Sequence, residues 1–232
     1  MRPDFIIWDC DGVLIDSEII SAQMLIEALA GFGVTIDRAF VVRHFLGRSY
    51  PVVLAEVRLR FGVDLPESFE GEYRARLLSA FEARLEVMPG AFDALRDCGV
   101  PWCVATSSSR PRAVRSLEIT GLAPLVGGRL FTASEVTRGK PAPDLFLRAA
   151  EALGAADPAR VLVIEDSLNG IRAARAAGMA CWRFTGGSHL RDQPLDEPDD
   201  ALPDRRIASF AELRQFIPDV FANTEKDGTG PC

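Results

Sequence analysis

The chain has 232 residues, 48% of them hydrophobic and 25% charged, with a formal charge of −7 and a pI near 5.0. That length suits one large core or a core plus a small second domain, and the composition excludes disorder as the default state. The acidic balance argues against a nucleic-acid-binding surface and against an anionic membrane as partner, which leaves a small metal-neutralised ligand open. Five cysteines (Cys10, Cys98, Cys103, Cys181, Cys232) are scattered without a Cys-x-x-Cys pair, and two histidines are too few for a zinc site. Free thiols in a reducing compartment fit best. There is no basic region followed by a short apolar stretch at the N-terminus, and no apolar run of the ~18 residues a membrane span needs. A cytoplasmic protein is therefore expected.

The first element is the apolar run Phe5-Ile6-Ile7-Trp8, followed by Asp9-Cys10-Asp11-Gly12-Val13-Leu14-Ile15-Asp16-Ser17-Glu18. It reads as a buried strand that delivers two carboxylates to its C-terminal end, where open α/β sheets bind ligands. Two aspartates one residue apart can divide the work of nucleophile and general acid. Taken alone, the same residues also describe a strand ending in a solvated acidic turn.

Some seventy residues then read as helices with no strand between them. Ser17 is placed to cap a helix in which Ile20, Met24, Ala28 and Phe32 recur every four residues, with Gly31 and Gly33 as its stop. Val53, Val57 and Phe61 repeat the spacing before Gly62. A third series, Phe69, Tyr73, Leu77, Phe81 and Leu85, predicts a long amphipathic helix with Glu70, Glu72, Arg74, Arg76 and Glu82 on its other face. These stripes are expected to close a small all-α bundle.

From Met88-Pro89-Gly90 onward short apolar strands alternate with helices, the pattern of a parallel sheet with right-handed crossovers. Strands are expected over residues 101–105, 130–132, 160–164 and 180–184, and helices over 110–119, 143–153 and 169–177, with Gly121, Gly154 and Gly178 at their stops. Residues 186–204 read as an irregular loop and residues 223–232 as a disordered tail. The fold class is α/β, a Rossmann-like doubly wound sheet. The expected boundaries are a discontinuous core over residues 1–16 and 86–232 and a helical cap over residues 17–85.

A sheet of this kind gathers residues from several strand ends at one crevice. Thr106 and Ser107 follow a strand and precede a helix, a place where a hydroxyl and backbone N–H groups can cradle phosphate. Lys140, in a Pro-bounded turn, offers a point charge for phosphoryl oxygens. Glu165 and Asp166 end a fully apolar run. Each has a plainer reading, as a Ser/Thr turn, a surface lysine and a helix N-cap at Asp166 or Ser167. If Asp9, Asp11, Glu165 and Asp166 share a crevice, their repulsion calls for a cation, and hard oxygen ligands select Mg²⁺.

The extended motif Asp-x-Asp-Gly-Val-Leu-x-Asp-Ser-Glu resembles the first signature of the haloacid dehalogenase-like hydrolases. Three further elements follow in the family's order: Val104-Ala105-Thr106-Ser107-Ser108, Gly139-Lys140-Pro141-Ala142-Pro143-Asp144 and Val163-Ile164-Glu165-Asp166-Ser167. The resemblance implies that Asp9 is the nucleophile and Asp11 the general acid and base, that Thr106, Ser107 and Lys140 hold the phosphoryl group, and that Asp9, Asp166 and the Asp11 backbone carbonyl bind Mg²⁺ with Glu165 in an outer role. Asp11 disfavours the dehalogenating and phosphonate-cleaving members, which lack an aspartate there. The helical insert resembles the mobile cap of the branch that holds sugar-phosphate phosphatases and β-phosphoglucomutase. That mutase carries a histidine ten residues after the second aspartate, where this chain has Ser21, so a phosphatase acting on a small sugar or sugar-alcohol phosphate is preferred to a mutase. A catalytically silent binding module of the same fold is a third reading, which four intact signatures oppose. Gly47-Arg48-Ser49 in the cap and Arg110 beside the phosphate loop are candidates for selecting the leaving group. Oligomeric state is not legible, and a monomer is the default.

Overall fold

The computed structural model describes residues 2–45, 48 and 50–221. Gly47, Ser49 and the tail over residues 223–232 lie outside the described residues. Strand β1 (Phe5–Trp8) is followed by four helices, α1 (Glu18–Ala30), α2 (Arg38–His44), α3 (Tyr50–Phe61) and α4 (Phe69–Arg84). The chain then alternates: α5 (Ala91–Arg96), β2 (Trp102–Thr106), α6 (Arg110–Ile119), α7 (Ala123–Val126), β3 (Leu130–Thr132), α8 (Asp144–Leu153), β4 (Val161–Glu165), α9 (Leu168–Ala176), β5 (Ala180–Phe184), β6 (Arg205–Ile207), α10 (Phe210–Phe216) and α11 (Pro218–Phe221).

The six strands form one parallel sheet in the order β3-β2-β1-β4-β5-β6. The chain winds outward in one direction from β1 through β2 and β3, and in the other through β4, β5 and β6. Successive strand residues face opposite sides, so Ile6, Trp8, Val104, Leu162 and Ile164 join one buried cluster while Ile7, Cys103, Ala105, Val161 and Val163 join the other. Helices cover both faces, as a parallel sheet requires. Among the described residues no helix is long and apolar enough to cross a membrane.

Strands β2 to β5 fall within a residue of their expected places. Strand β6 and helices α2, α5, α7, α10 and α11 were not delimited from the sequence. The α4 stripe is buried as expected at Phe69, Tyr73, Leu77, Phe81 and also at Leu85 just beyond it. In α1 the buried face runs through Ile20, Ala22, Leu25, Ala28 and Leu29, whereas Met24 is half-buried and Phe32 is 40% exposed. A strict four-residue row drifts around a helix of 3.6 residues per turn, and Phe32 lies beyond the end of α1 at Ala30. Ser17 precedes α1 but makes no side-chain cap; its hydroxyl is given to Asp11 instead. Between β1 and α1 the chain runs antiparallel to the segment after α4: Asp16 N–H donates to Glu86 O at 3.0 Å and Met88 N–H to Leu14 O at 2.9 Å, around an Ile15–Val87 bridge.

Candidate active site

Because β1 lies between β2 and β4, the C-terminal ends of three strands open onto one edge of the sheet. Asp9 directly follows β1 and is held in register by its N–H to Ile164 O at 2.9 Å. Thr106 ends β2, Glu165 ends β4 and Asp166 follows it. Lys140 arrives from the loop between β3 and α8. Gly12, at φ +77°, turns the chain away at a point where a side chain has no room: a Cβ there would lie 2.3 Å from Asp166 Oδ2.

Lys140 is 3% exposed and spends its ammonium protons on Asp9 Oδ1 (2.5 Å), Glu165 Oε1 (2.9 Å) and Ala105 O (3.1 Å). Burial works against its charge, yet the Asp9 and Glu165 carboxylates outweigh that and raise its pKa above the ordinary lysine value. Asp9 and Asp166 move the other way from usual carboxylates. Burial first, and then neighbouring carboxylates led by Glu165, push both well above the normal range, with Lys140 opposing only in part. One oxygen from each of Asp9, Glu165 and Asp166 lies within 4.8 Å of the others. Three buried carboxylates against one ammonium leave a surplus of negative charge, and Asp166 Oδ2 has no aligned hydrogen bond. An all-oxygen donor set with that surplus fits a hard divalent cation. Glu165 has both oxygens occupied, Oε1 by Lys140 and Oε2 by Ser167 N–H at 2.6 Å. Ser167, not Asp166, caps α9 by accepting from Gly170 N–H.

Asp11 sits in a different environment. Its Oδ1 accepts from Ser17 Oγ (2.6 Å) and Arg112 Nη2 (2.9 Å), and its Oδ2 from Ser108 Oγ (2.6 Å) and Thr106 Oγ1 (3.1 Å). Burial alone would raise the Asp11 pKa, but Arg112 and the three hydroxyls hold it below the ordinary value. Cys10, between the two aspartates, is kept as a thiol by burial and by both carboxylates. The more nucleophilic atom type is thus silenced and the carboxylates are left to act.

These groups line a cavity of about 820 Å³, which takes in Asp9, Asp11, Thr106, Ser107, Lys140 and Asp166 at one end and Arg48, Tyr50 and Arg74 from the helical segment at the other. Arg48 therefore faces the cavity, with Nη1 3.8 Å from Glu56 Oε2. Arg110 does not line it. Its guanidinium pairs with Glu135 Oε1 at 3.1 Å and Leu130 O at 3.3 Å. Two residues along α6 is roughly 200° of rotation, and Arg112 is the residue that turns inward. Arg112 was not singled out from the sequence, although its distance from the Thr106 loop and the phase of α6 carry the signal. It also donates to Ser21 Oγ at 3.1 Å and stacks 5.3 Å from the Phe81 ring centroid. Two more groups carry no signal of a role in the sequence. Glu18 is half-buried beside the acids, and burial, then Asp11 and Asp166, push its pKa to about 8. His189, in the stretch read as an irregular loop, is buried against Asp166.

A model of the haloacid dehalogenase-like hydrolases matches residues 3–178. The chain is similar to 6-phosphogluconate phosphatase of Escherichia coli, 27% identical over 216 residues that cover 93% of each protein. It is similar to a probable pseudouridine-5'-phosphatase of Drosophila melanogaster, 32% identical over 243 residues, 93% of this chain and 92% of that one. Among solved structures it resembles a hydrolase from Deinococcus radiodurans with bound phosphate and sodium, at 33% identity and a TM-score of 0.71, over 94% of this chain and 96% of the other.

Proposed function

We propose, for a chain that belongs to the haloacid dehalogenase-like hydrolases and is a phosphoric monoester hydrolase, a two-step cleavage of a small phosphomonoester through an aspartyl-phosphate on Asp9. The observation that carries it is the pair of unlike carboxylates at the end of β1: Asp9 bound by Lys140 and crowded by acids, Asp11 bound by Arg112 and three hydroxyls. Divergent environments divide nucleophile from acid and base.

In the first step an Asp9 carboxylate oxygen attacks phosphorus in line, the bond from phosphorus to the leaving oxygen breaks, and Asp11 gives that oxygen a proton. In the second, water attacks phosphorus, its proton passes to Asp11, and the bond to Asp9 breaks. Arg112 and the hydroxyls favour the Asp11 carboxylate, which suits the second step. Entry of substrate must loosen that grip for the first. Thr106 and the Ser107 backbone bind the phosphoryl oxygens, and the charge of Lys140, whose protons are held by Asp9, Glu165 and Ala105 O, offsets theirs. Asp9, Asp166 and the Asp11 backbone carbonyl would hold Mg²⁺, whose charge, when bound, keeps Asp9 ionised and offsets the developing negative charge. Glu165 stays in an outer role because both its oxygens are already engaged.

The leaving group we infer is a sugar or sugar-alcohol. The cavity has the size of a small-metabolite site. Arg48 Nε, Tyr50 Oη and Arg112 Nε are buried there without hydrogen-bond partners, and a polyhydroxylated chain supplies acceptors for all three. The Escherichia coli relative, a 6-phosphogluconate phosphatase, is named for a phosphorylated sugar acid, which supports the same reading. Residues 17–85 act as the cap that carries Arg48, hinged at the Ile15–Val87 bridge, over a core of residues 1–16 and 86–232. Hydrolysis is preferred to phosphoryl return because Ser21, where the mutase has its histidine, is bonded to Ser17 O and Arg112 and cannot shuttle a proton near neutral pH. Free cysteines, with Cys10, Cys103 and Cys181 buried and Cys98 half-buried, suit the cytoplasm.

Asp9→Asn tests the reading. An amide cannot attack as an anion, so turnover of every substrate the parent hydrolyses should vanish while far-UV circular dichroism is unchanged. Retention of more than a trace of activity would sink the assignment.

A further inference from the structure

Asp166 is gripped twice by a part of the chain that lies beyond the residues matching the family model. Its backbone carbonyl accepts from Arg183 Nε of β5 at 3.0 Å, and Arg183 is itself buried and paired with Glu197 at 2.8 Å. Its side chain meets His189, from the loop that follows β5. His189 is 1% exposed, and its Nε2 lies 2.7 Å from Asp166 Oδ2. The ring is caged by two glycines. A Cβ at Gly12 would lie 2.9 Å from His189 Cε1, and one at Gly187 would lie 2.6 Å from the same atom and 2.7 Å from Nδ1. Gly187 has φ −66° and needs no glycine for its backbone, so the space itself is what excludes a side chain there. The loop is tied to the first motif by Ser188, whose N–H and Oγ both bond Asp16 Oδ1, at 3.1 and 2.8 Å.

Despite the 2.7 Å contact, neither His189 nitrogen nor Asp166 Oδ2 has an aligned hydrogen bond. A buried imidazole without partners is costly unless it gains one during function. The terminal torsion of an aspartate is broad, so the Asp166 carboxylate can turn at little cost to bring Oδ2 into line with an Nε2–H. Carboxylates that ligate metals are themselves hydrogen-bonded, and loss of such outer partners weakens metal binding about 10–100-fold.

We propose that His189 is a positioning residue for Asp166, which donates from Nε2 to Oδ2 and so presents Oδ1 to the divalent cation. This rests on the proposed metal role of Asp166.

The test is direct calorimetric titration of the full chain with Mn²⁺ alone, for the parent, Asp166→Ala, His189→Leu, His189→Gln and Gly187→Ala. The parent should bind one ion and Asp166→Ala should not, which checks the underlying reading separately. Leu fills the ring's volume without a donor and should raise the Kd about 10–100-fold, whereas Gln restores an N–H and should stay near the parent. Gly187→Ala displaces the ring while leaving Asp166 chemically intact, and should weaken binding as Leu does even where His189→Leu fails to fold. Turnover at saturating Mn²⁺ should largely recover in the Leu variant. Parent-like affinity in His189→Leu or, where that variant does not fold, in Gly187→Ala would overturn the proposal, as would equal losses for Leu and Gln. A parent that binds no ion would remove the metal reading and this inference together.

Discussion

Replacing Lys140 with methionine removes one buried charge while keeping most of the side-chain volume. The ammonium touches Asp9, Glu165 and the Ala105 carbonyl, and nothing else among the described residues neutralises those two carboxylates directly. Breaking one side of a buried ion pair costs about 3–5 kcal/mol, roughly two to three and a half orders of magnitude in the folding constant. A domain of ordinary stability survives that loss but shows it. The cost must also depend on pH. Asp9 already has its pKa raised well above 3.8, chiefly by burial, and Lys140 is what opposes the rise. Without Lys140 the folded-state pKa climbs further. A carboxyl raised on folding binds more protons in the folded than in the unfolded chain, so its stability contribution falls as pH climbs from about 3.8 through the folded pKa. The Lys140→Met deficit should therefore be small at pH 4 and full at pH 8, and Mg²⁺ should restore part of it at pH 8. Urea denaturation in chelator at both pH values measures this. A deficit equal at the two pH values would mean that Lys140 matters only as packing, and no deficit at all would refute its role as the counter-charge.

Gly170→Ala should disrupt the same network from behind: a Cβ there would fall 1.7 Å from Glu165 Oε1, the oxygen that holds Lys140. Overpacking of this kind costs about 1–3 kcal/mol before the ion-pair loss is added, and a urea midpoint equal to the parent's would contradict the model of a rigid Glu165. Glu18 gives a second pH signature. Its pKa of about 8 against 4.5 unfolded means that metal-free stability is lost as pH rises from 4.5 to about 8. Glu18→Gln should gain on the parent across that window and match it at pH 4.5, as read by urea midpoints.

The elements were legible where apolar runs and breakers coincide. Residues 160–164 read as a strand because Val161 to Ile164 is an unbroken apolar run, which a parallel sheet buried on both faces requires, and the structure sets that strand one residue on, at Val161–Glu165. Gly154, at φ +78°, closes α8 where it was expected. The last fifth of the chain was not legible in the same way. Strand β6 is the short run Arg205–Ile207, with two exposed arginines, and no local pattern separates an edge strand of three residues from a loop. Helix α2 was passed over because its seven residues hold one buried side chain, Val41, and its strongest signal is the Asp37 cap that accepts from Phe40 N–H.

The site divides along a physical line. Asp9, Thr106, Glu165 and Asp166 sit at the ends of apolar strands, so the rule that ligands meet the carboxyl edge of a parallel sheet is enough to bring them together. Arg112 and His189 obey no such rule. Arg112 reaches Asp11 because α6 turns it inward two residues after an arginine that points elsewhere, and only the helical phase distinguishes them. His189 reaches Asp166 because the loop after β5 folds back over the first motif and is pinned there by Ser188 and Asp16. The His189 approach has no local sequence cause. It follows from the sheet order, in which β4 lies between β1 and β5 and the loop after β5 comes back to Asp166 at the end of β4. Most groups proposed to act on phosphorus lie at or just after strand ends and can be read one segment at a time, Lys140 coming instead from the loop between β3 and α8. Arg112 and His189, which meet Asp11 and Asp166, are brought in from α6 and from the loop after β5 and depend on the topology being formed.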